Sequence, residues 1–141
     1  MTFDESCIFC KIVRKQAPAS IIYEDETVMA FLDIRPLNEG HTLVIPKKHY
    51  VDIFDTPEDQ LSQVHMVVKQ VSIAVKKATN ADGISIIQQN GKAGGQEIFH
   101  FHVHVVPRFE GQKLPSFSVL SEVERTKLEV TAKKIKQQLK T

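Results

Sequence analysis

Only two cysteines, Cys7 and Cys10, occur in the 141 residues, too few for a disulfide scaffold in a chain of this size. No stretch approaches the ~20 apolar residues that a membrane span requires. The opening Met1-Thr2-Phe3-Asp4-Glu5 is acidic rather than apolar, unlike a secretory leader. The expectation is a cytoplasmic protein with reduced thiols and no membrane partner. Net charge is almost absent, since 18 basic and 17 acidic residues leave +1. So balanced a chain lacks the broad positive footprint that binds a phosphate backbone, which argues against duplex nucleic acid as a partner. A small anion held by backbone N–H groups stays compatible with it. Repeats and low-complexity segments are missing as well. What is present is a 42% apolar composition, enough for one compact domain with a core.

Residues 7–14 suit a short helix. Ile21–Glu24 and Thr27–Asp33 are β-rich runs parted by Asp25-Glu26, a hairpin pattern. Arg35–Gly40, with Pro36, Asn38 and Gly40, reads as a loop, and His41–Pro46 as a strand. Thr56-Pro57 resembles an N-cap followed by proline at the first helical position. Leu61, Val64, Val68, Val71, Val75 and Ala78 then recur at helical spacing and predict a long helix that Asp82-Gly83 stops. Ile84–Asn90 is the next strand, Gly91–Gly95 a glycine-rich loop, and Ile98–Val106 a long strand ended by Pro107. Glu110–Ser118 reads as irregular. Ser121-Glu122-Val123-Glu124 resembles a capping box, with a lysine-rich tail helix behind it. Short turns between strands favour an antiparallel sheet of about five strands, an α+β fold. Residues 1–110 would form the domain, and 111–141 an extension packed on or next to it.

The run His100-Phe101-His102-Val103-His104 carries the chemistry. In a strand its histidines share one face, while Phe99, Phe101, Val103 and Val105 share the other, which is apolar enough for a core. Three imidazoles that titrate near neutrality can line a groove. A solvated edge face, a metal site and a catalytic site are all open readings. The preceding Asn90-Gly91-Lys92-Ala93-Gly94-Gly95-Gln96 resembles an anion cradle, and its position favours catalysis. Cys7-x-x-Cys10 has the spacing of half a zinc site; a redox pair and two packed small hydrophobes are the alternatives. His41 suits either a hydrogen bond to the triad or a satisfied core position. His65, beside the apolar face of the long helix, reads as structural.

His100-Phe101-His102-Val103-His104-Val105-Val106 resembles the signature of the histidine triad (HIT) superfamily. Cys7-Ile8-Phe9-Cys10-Lys11-Ile12, Phe31-Leu32-Asp33-Ile34, Gly40–His49, Asn90 and Gly94-Gly95-Gln96 agree in order and spacing. The set is most similar to the bacterial and archaeal Hit-like branch, near the Hint type. The resemblance implies a nucleotide hydrolase or transferase acting at the α-phosphorus of purine nucleotide conjugates. These would be nucleoside phosphoramidates or dinucleoside polyphosphates. His102 would be the nucleophile that forms a nucleotidyl-histidine. His104 would contact phosphate and assist the leaving group, and the main chain near His100 would orient His102. Asp33 would hold the ribose. Asn90, Gln96, Glu97 and Ile98 would hold the phosphate, and Phe9, Ile12, Phe31 and Ile34 the base, together with Ile8 and Leu32. No catalytic metal is required. A structural zinc on Cys7, Cys10, His49 and His100, and a homodimer paired through the long helix and one strand, follow from the same resemblance. Many relatives carry Ser or Thr where this chain has Glu97, whose carboxylate is expected to point away from the phosphate. The long tail also departs from the Hint-type terminus. The alternative is a zinc-stabilised nucleotide-binding adaptor with vestigial catalysis.

Overall fold

A computed structural model describes residues 3–117 and 120–139. Its elements are α1 (Ile8–Val13), β1 (Ile21–Glu24), β2 (Val28–Leu32), β3 (Thr42–Pro46), α2 (Glu58–Thr79), β4 (Gly83–Ile87), β5 (Val103–Arg108) and α3 (Arg125–Leu139). A 3-10 turn, Lys92–Gly94, precedes β5. The strands form one sheet in the order β1-β2-β3-β5-β4, every pair antiparallel. The expected α+β architecture is therefore present. Among the described residues no helix is long and apolar enough to cross a membrane.

The central strands are buried on both faces, which explains their unbroken apolar runs. Val28, Ala30, Leu32, Val44, Val103 and Val105 face α2 and α3. Met29, Phe31, Leu43 and Ile45 face the opposite way, against Phe9, Cys10 and Ile12 of α1. On α2, Val64, Val67, Val68, Val71, Ala74 and Val75 form the buried stripe. From α3, Leu128, Ala132 and Ile135 enter the same core. The two long helices thus take one face of the sheet and leave the other for α1 and the histidines.

Several local expectations are corrected. Pro57, not Thr56, is the N-cap of α2, and the Thr56 hydroxyl instead donates to the Asp52 carbonyl at 2.6 Å. The helix stops at Asn80, whose left-handed backbone (φ 59°) turns its N–H back to the Lys76 carbonyl. β4 ends at Ile87 rather than at Asn90, because the amides of Gln88 and Asn90 bond to each other at 2.7 and 3.1 Å. α3 starts at Arg125, with the Glu124 carbonyl accepting from Lys127 and Leu128, so Ser121 is not its cap. Of the expected irregular stretch, Ser118 lies outside the described residues, as do the tail's Lys140 and Thr141.

The histidine strand is shorter and later than expected. It covers Val103–Arg108, and residues 98–100 bend before it. Pro107 lies inside the ladder, opposite Ile84. Its missing N–H is harmless there. In a strand a residue's N–H and C=O point to the same side, and the Pro107 carbonyl accepts from Asn38 Nδ2 at 2.8 Å, beyond the first residue of β3. The alternation still holds from Phe101 to Val105, whose apolar members all reach the core. Phe99 leaves it, being 48% exposed at the bend.

Candidate active site and metal cluster

His102 and His104 lie side by side, ring centroids 4.9 Å apart, on the sheet face opposite α2. The Nδ1–H of His102 donates to the His100 carbonyl at 2.7 Å. The other nitrogen, Nε2, is thereby left with its lone pair. Burial lowers the pKa of His102, so the ring is neutral.

A second chain of hydrogen bonds sets His104. The Leu37 N–H donates to His41 Nδ1 at 3.0 Å, so the proton of that imidazole sits on Nε2. His41 Nε2–H then donates to His104 Nδ1 at 2.9 Å. The remaining proton of His104 is consequently on Nε2. Burial pushes both His41 and His104 down to about 3, which keeps the pair neutral and the order of donors fixed. Gly40 allows the turn ahead of His41, since its φ of +99° suits glycine and a Cβ there would meet Thr79 Cγ2 at 2.7 Å.

Both histidines open on a cavity of about 610 Å³. Ile8, Phe9 and Ile12 of α1 form one wall, with Phe31 and Ile34 from β2 and its following turn. Asp33 projects into it, and its Oδ1 accepts from the Arg35 N–H at 2.9 Å. Its carboxyl is raised to about 6, first by burial, with Glu97 adding to the rise against the opposing pull of Arg35 and its N–H. Asp33 Oδ2 also lies 3.6 Å from His41 Nε2.

His100 goes elsewhere. Its Nδ1 lies 3.4 Å from Cys7 Sγ, 3.6 Å from Cys10 Sγ and 3.2 Å from His49 Nδ1, and Cys10 Sγ lies 3.3 Å from His49 Nδ1. These four residues can hold a metal ion. Around a tetrahedral zinc, Zn–N of about 2.0–2.1 Å and Zn–S of about 2.3 Å place ligand atoms roughly 3.3–3.8 Å apart, so the donor set fits. The outer contacts fit as well. His100 Nε2–H donates to the Pro46 carbonyl at 2.8 Å, leaving Nδ1 as the ligating lone pair. Cys7 is the N-cap of α1, and its sulfur accepts the Cys10 N–H at 3.3 Å, a contact that works against the burial which pushes the thiol up to about 11.

Residues 14–111 match the HIT domain family. The chain belongs to this family. An uncharacterised HIT-like protein of Methanocaldococcus jannaschii is 45% identical over 92% of this chain and 98% of its own length. The adenylylsulfatase HINT3 of Arabidopsis thaliana is 41% identical over 77% of this chain and 55% of its own length. A zinc-bound histidine triad family protein from Mycobacterium smegmatis superposes with a TM-score of 0.85 at 42% identity, covering 96% of this chain and 94% of that one. A Hit-like protein from Bartonella henselae gives a TM-score of 0.89 at 40% identity, over 96% and 98% of the two chains.

Within this HIT fold, Phe9, Ile12, Phe31, Asp33, Ile34, Glu97, Ile98, His102 and His104 all line the cavity. Asn90 and Gln96 are not among its lining residues; they tie the glycine loop together. Asn90 Oδ1 accepts from the Ile53 N–H at 2.8 Å. Gln96 Nε2 donates to the Val51 carbonyl at 2.6 Å, and its Oε1 accepts from the Gly91 N–H at 2.7 Å. Gly95, at φ +95°, makes the close of that loop, where a Cβ would strike the Gln89 side chain. Glu97 lines the cavity at its rim, exposed to solvent and within electrostatic reach of Asp33. Hydration at the rim lets a carboxylate sit there. Sequence reasoning missed Leu37, Phe117 and Arg125. The first acts through its backbone, and the other two come from the extension, where no motif marks them.

Proposed function

We propose that this HIT protein moves the nucleotidyl group of a purine nucleotide conjugate onto His102 and then onto water. The observation that carries the reading is the fixed tautomer of His102, whose Nδ1 proton is held by the His100 carbonyl while the ring opens on the cavity. A neutral imidazole with a bare Nε2 is a nucleophile at neutral pH. Its lone pair forms the N–P bond at the α-phosphorus, and the bond to the departing group breaks with its electron pair. His104 Nε2–H hydrogen-bonds the departing atom. For a phosphate leaving group that suffices; an amine takes the proton, and the His41 N–H steadies the charge left on His104. Water then attacks phosphorus and the P–Nε2 pair returns to His102; a proton of that water restores His104 after an amine has left, and passes to solvent after a phosphate has left. The product is a nucleoside monophosphate.

Asp33 would accept both ribose hydroxyls, and the apolar wall of Phe9, Ile12, Phe31 and Ile34 would take the base. The backbone at Glu97 and Ile98 would hold the phosphate. The Gln96 N–H is already given to the Gly91 carbonyl at 3.1 Å, so the cradle begins one residue later than the motif suggests. Zinc on Cys7, Cys10, His49 and His100 would tie α1 to the histidine segment, a structural role that suits a closed four-ligand set in a reducing cytoplasm. A second copy would pair along β4, an outer strand of the sheet. There Ile86 is 46% exposed, and Met66 and Ile73 of α2 are exposed as well.

The test is turnover of an adenosine phosphoramidate and of a diadenosine polyphosphate by wild type and His102→Asn. Wild-type activity that falls by at least ~10³-fold in the variant supports nucleophilic His102. Tight AMP binding with no product from wild type would make the protein an adaptor instead.

A further inference from the structure

We infer that Phe117 is a specificity-determining residue for the leaving group: its ring is a platform on which an aromatic departing group stacks. This rests on the nucleotidyl-transfer reading above and names the substrate class that it favours.

The Phe117 ring lies against the imidazole meant to meet the departing atom. Its centroid is 4.8 Å from that of His104, with the planes tilted by 40°, and 6.1 Å from that of His41. Phe117 also lines the cavity. On the other side of the histidine pair stands Phe9, edge-on to His102 at 5.2 Å. The two phenylalanines therefore flank the reacting centre. Phe9, with Phe31 at 5.4 Å, belongs to the wall that suits a nucleoside. In-line displacement sends the departing group away from the attacking nitrogen, toward the side that His104 serves.

The segment that carries Phe117 is tied at both ends. Asn38 and Gln112 exchange amide hydrogen bonds at 2.7 and 2.9 Å. Farther on, the Val123 N–H donates to the Ile34 carbonyl at 2.8 Å, directly behind Asp33. Both anchors sit on the one loop that follows β2, and Phe117 rests against His104 before substrate arrives, which lowers the ordering cost of a stack.

The experiment compares two adenosine phosphoramidates that differ only in aromaticity, one of 2-phenylethylamine and one of 2-cyclohexylethylamine. Wild type should prefer the phenyl conjugate by about 3- to 10-fold in kcat/KM, the range for one aromatic pair. The ratio should fall to near one in Phe117→Ala and persist in Phe117→Tyr. Equilibrium binding of both conjugates to His102→Asn, with and without Phe117→Ala, gives the same comparison without chemistry. A wild-type ratio of one, or a ratio that survives Phe117→Ala, overturns the assignment. No turnover of either conjugate by wild type overturns the nucleotidyl-transfer reading. The binding ratio then decides the platform on its own.

Discussion

His41 and His104 share one buried hydrogen bond of 2.9 Å, and its direction is decided by the Leu37 N–H on the far nitrogen of His41. A backbone amide thus dictates, through two rings, which nitrogen of His104 carries a proton.

Removing the relay should cost rate more than affinity. In His41→Ala, His104 is free to take either tautomer and loses its partner for the developing charge. We expect kcat to fall by ~10²-fold, within the span of general acid–base effects, and AMP affinity to change by less than about threefold. Steady-state kinetics beside AMP titration checks this. Equal loss in both quantities would mean that His41 only supports the fold.

Nucleotide affinity should weaken in acid through Asp33. Its carboxyl titrates at about 6 in the free protein, raised mainly by burial, with Glu97 raising it further, Arg35 opposing and His41 close by. Ribose hydroxyls are donors and need the ionised acceptor, so binding favours the form present above that value. AMP affinity should be level above about pH 7 and fall roughly tenfold for each unit below about 5.5. Titrations with 2′-deoxy-AMP should show a smaller dependence. An identical profile for the two nucleotides would remove Asp33 from ribose binding.

The same carboxylate should burden the folded state. A raised folded pKa means that ionised Asp33 is less comfortable in the protein than in the unfolded chain. The penalty is full above the folded value near 6 and gone below the ordinary 3.8. At pH 7.5, Asp33→Asn should therefore stabilise the protein by ~1–3 kcal/mol while weakening nucleotide binding. Paired denaturant melts at pH 7.5 and pH 4 read this directly, since the gain must shrink at the lower pH.

Metal analysis of purified protein should find about one zinc per chain, lost in Cys7→Ala. Chelation should lower Tm by ~10 °C, the scale of a structural site worth several kcal/mol. Equal traces of metal in wild type and variant would leave the four side chains as a packed cluster only.

Ile86→Lys should shift the protein toward monomer in light scattering. A charge on an outer strand opposes strand-to-strand pairing. An unchanged mass would place any self-association elsewhere.

How legible was all this in the chain? The stripe from Val64 to Val75 reads directly as α2, because a 3.6-residue period over many turns has no competing explanation. The cavity's apolar wall came from motif order, since Phe31 and Ile34 by themselves look like core. Where local rules misled, another hydrogen-bond partner had intervened, far in sequence or near. Pro107 reads as a strand end until Asn38 takes its carbonyl from across the sheet. Thr56 reads as a cap until its hydroxyl turns back to Asp52. The three histidines look equivalent by alternation. Contacts some fifty to ninety residues away in sequence separate His100 from the other two. Phe117 gave no signal, because nothing in its neighbours' chemistry says which ring it will meet.

The shortness of α1 has a consequence of its own. Six residues are too few to hold a helix by local forces, yet this one supplies Ile8, Phe9 and Ile12 to the cavity. Its first residues are bracketed by Cys7 and Cys10, and the ring of Phe9 rests edge-on against both His100 and His102, at 5.8 and 5.2 Å. The sulfur–nitrogen knot and the reacting imidazole therefore lean on one phenyl ring. If the four ligands hold zinc as proposed, its loss would loosen together the wall that Phe9 lends to the cavity and the His100 carbonyl on which His102 leans, so metal supply would bear on the site without entering the chemistry.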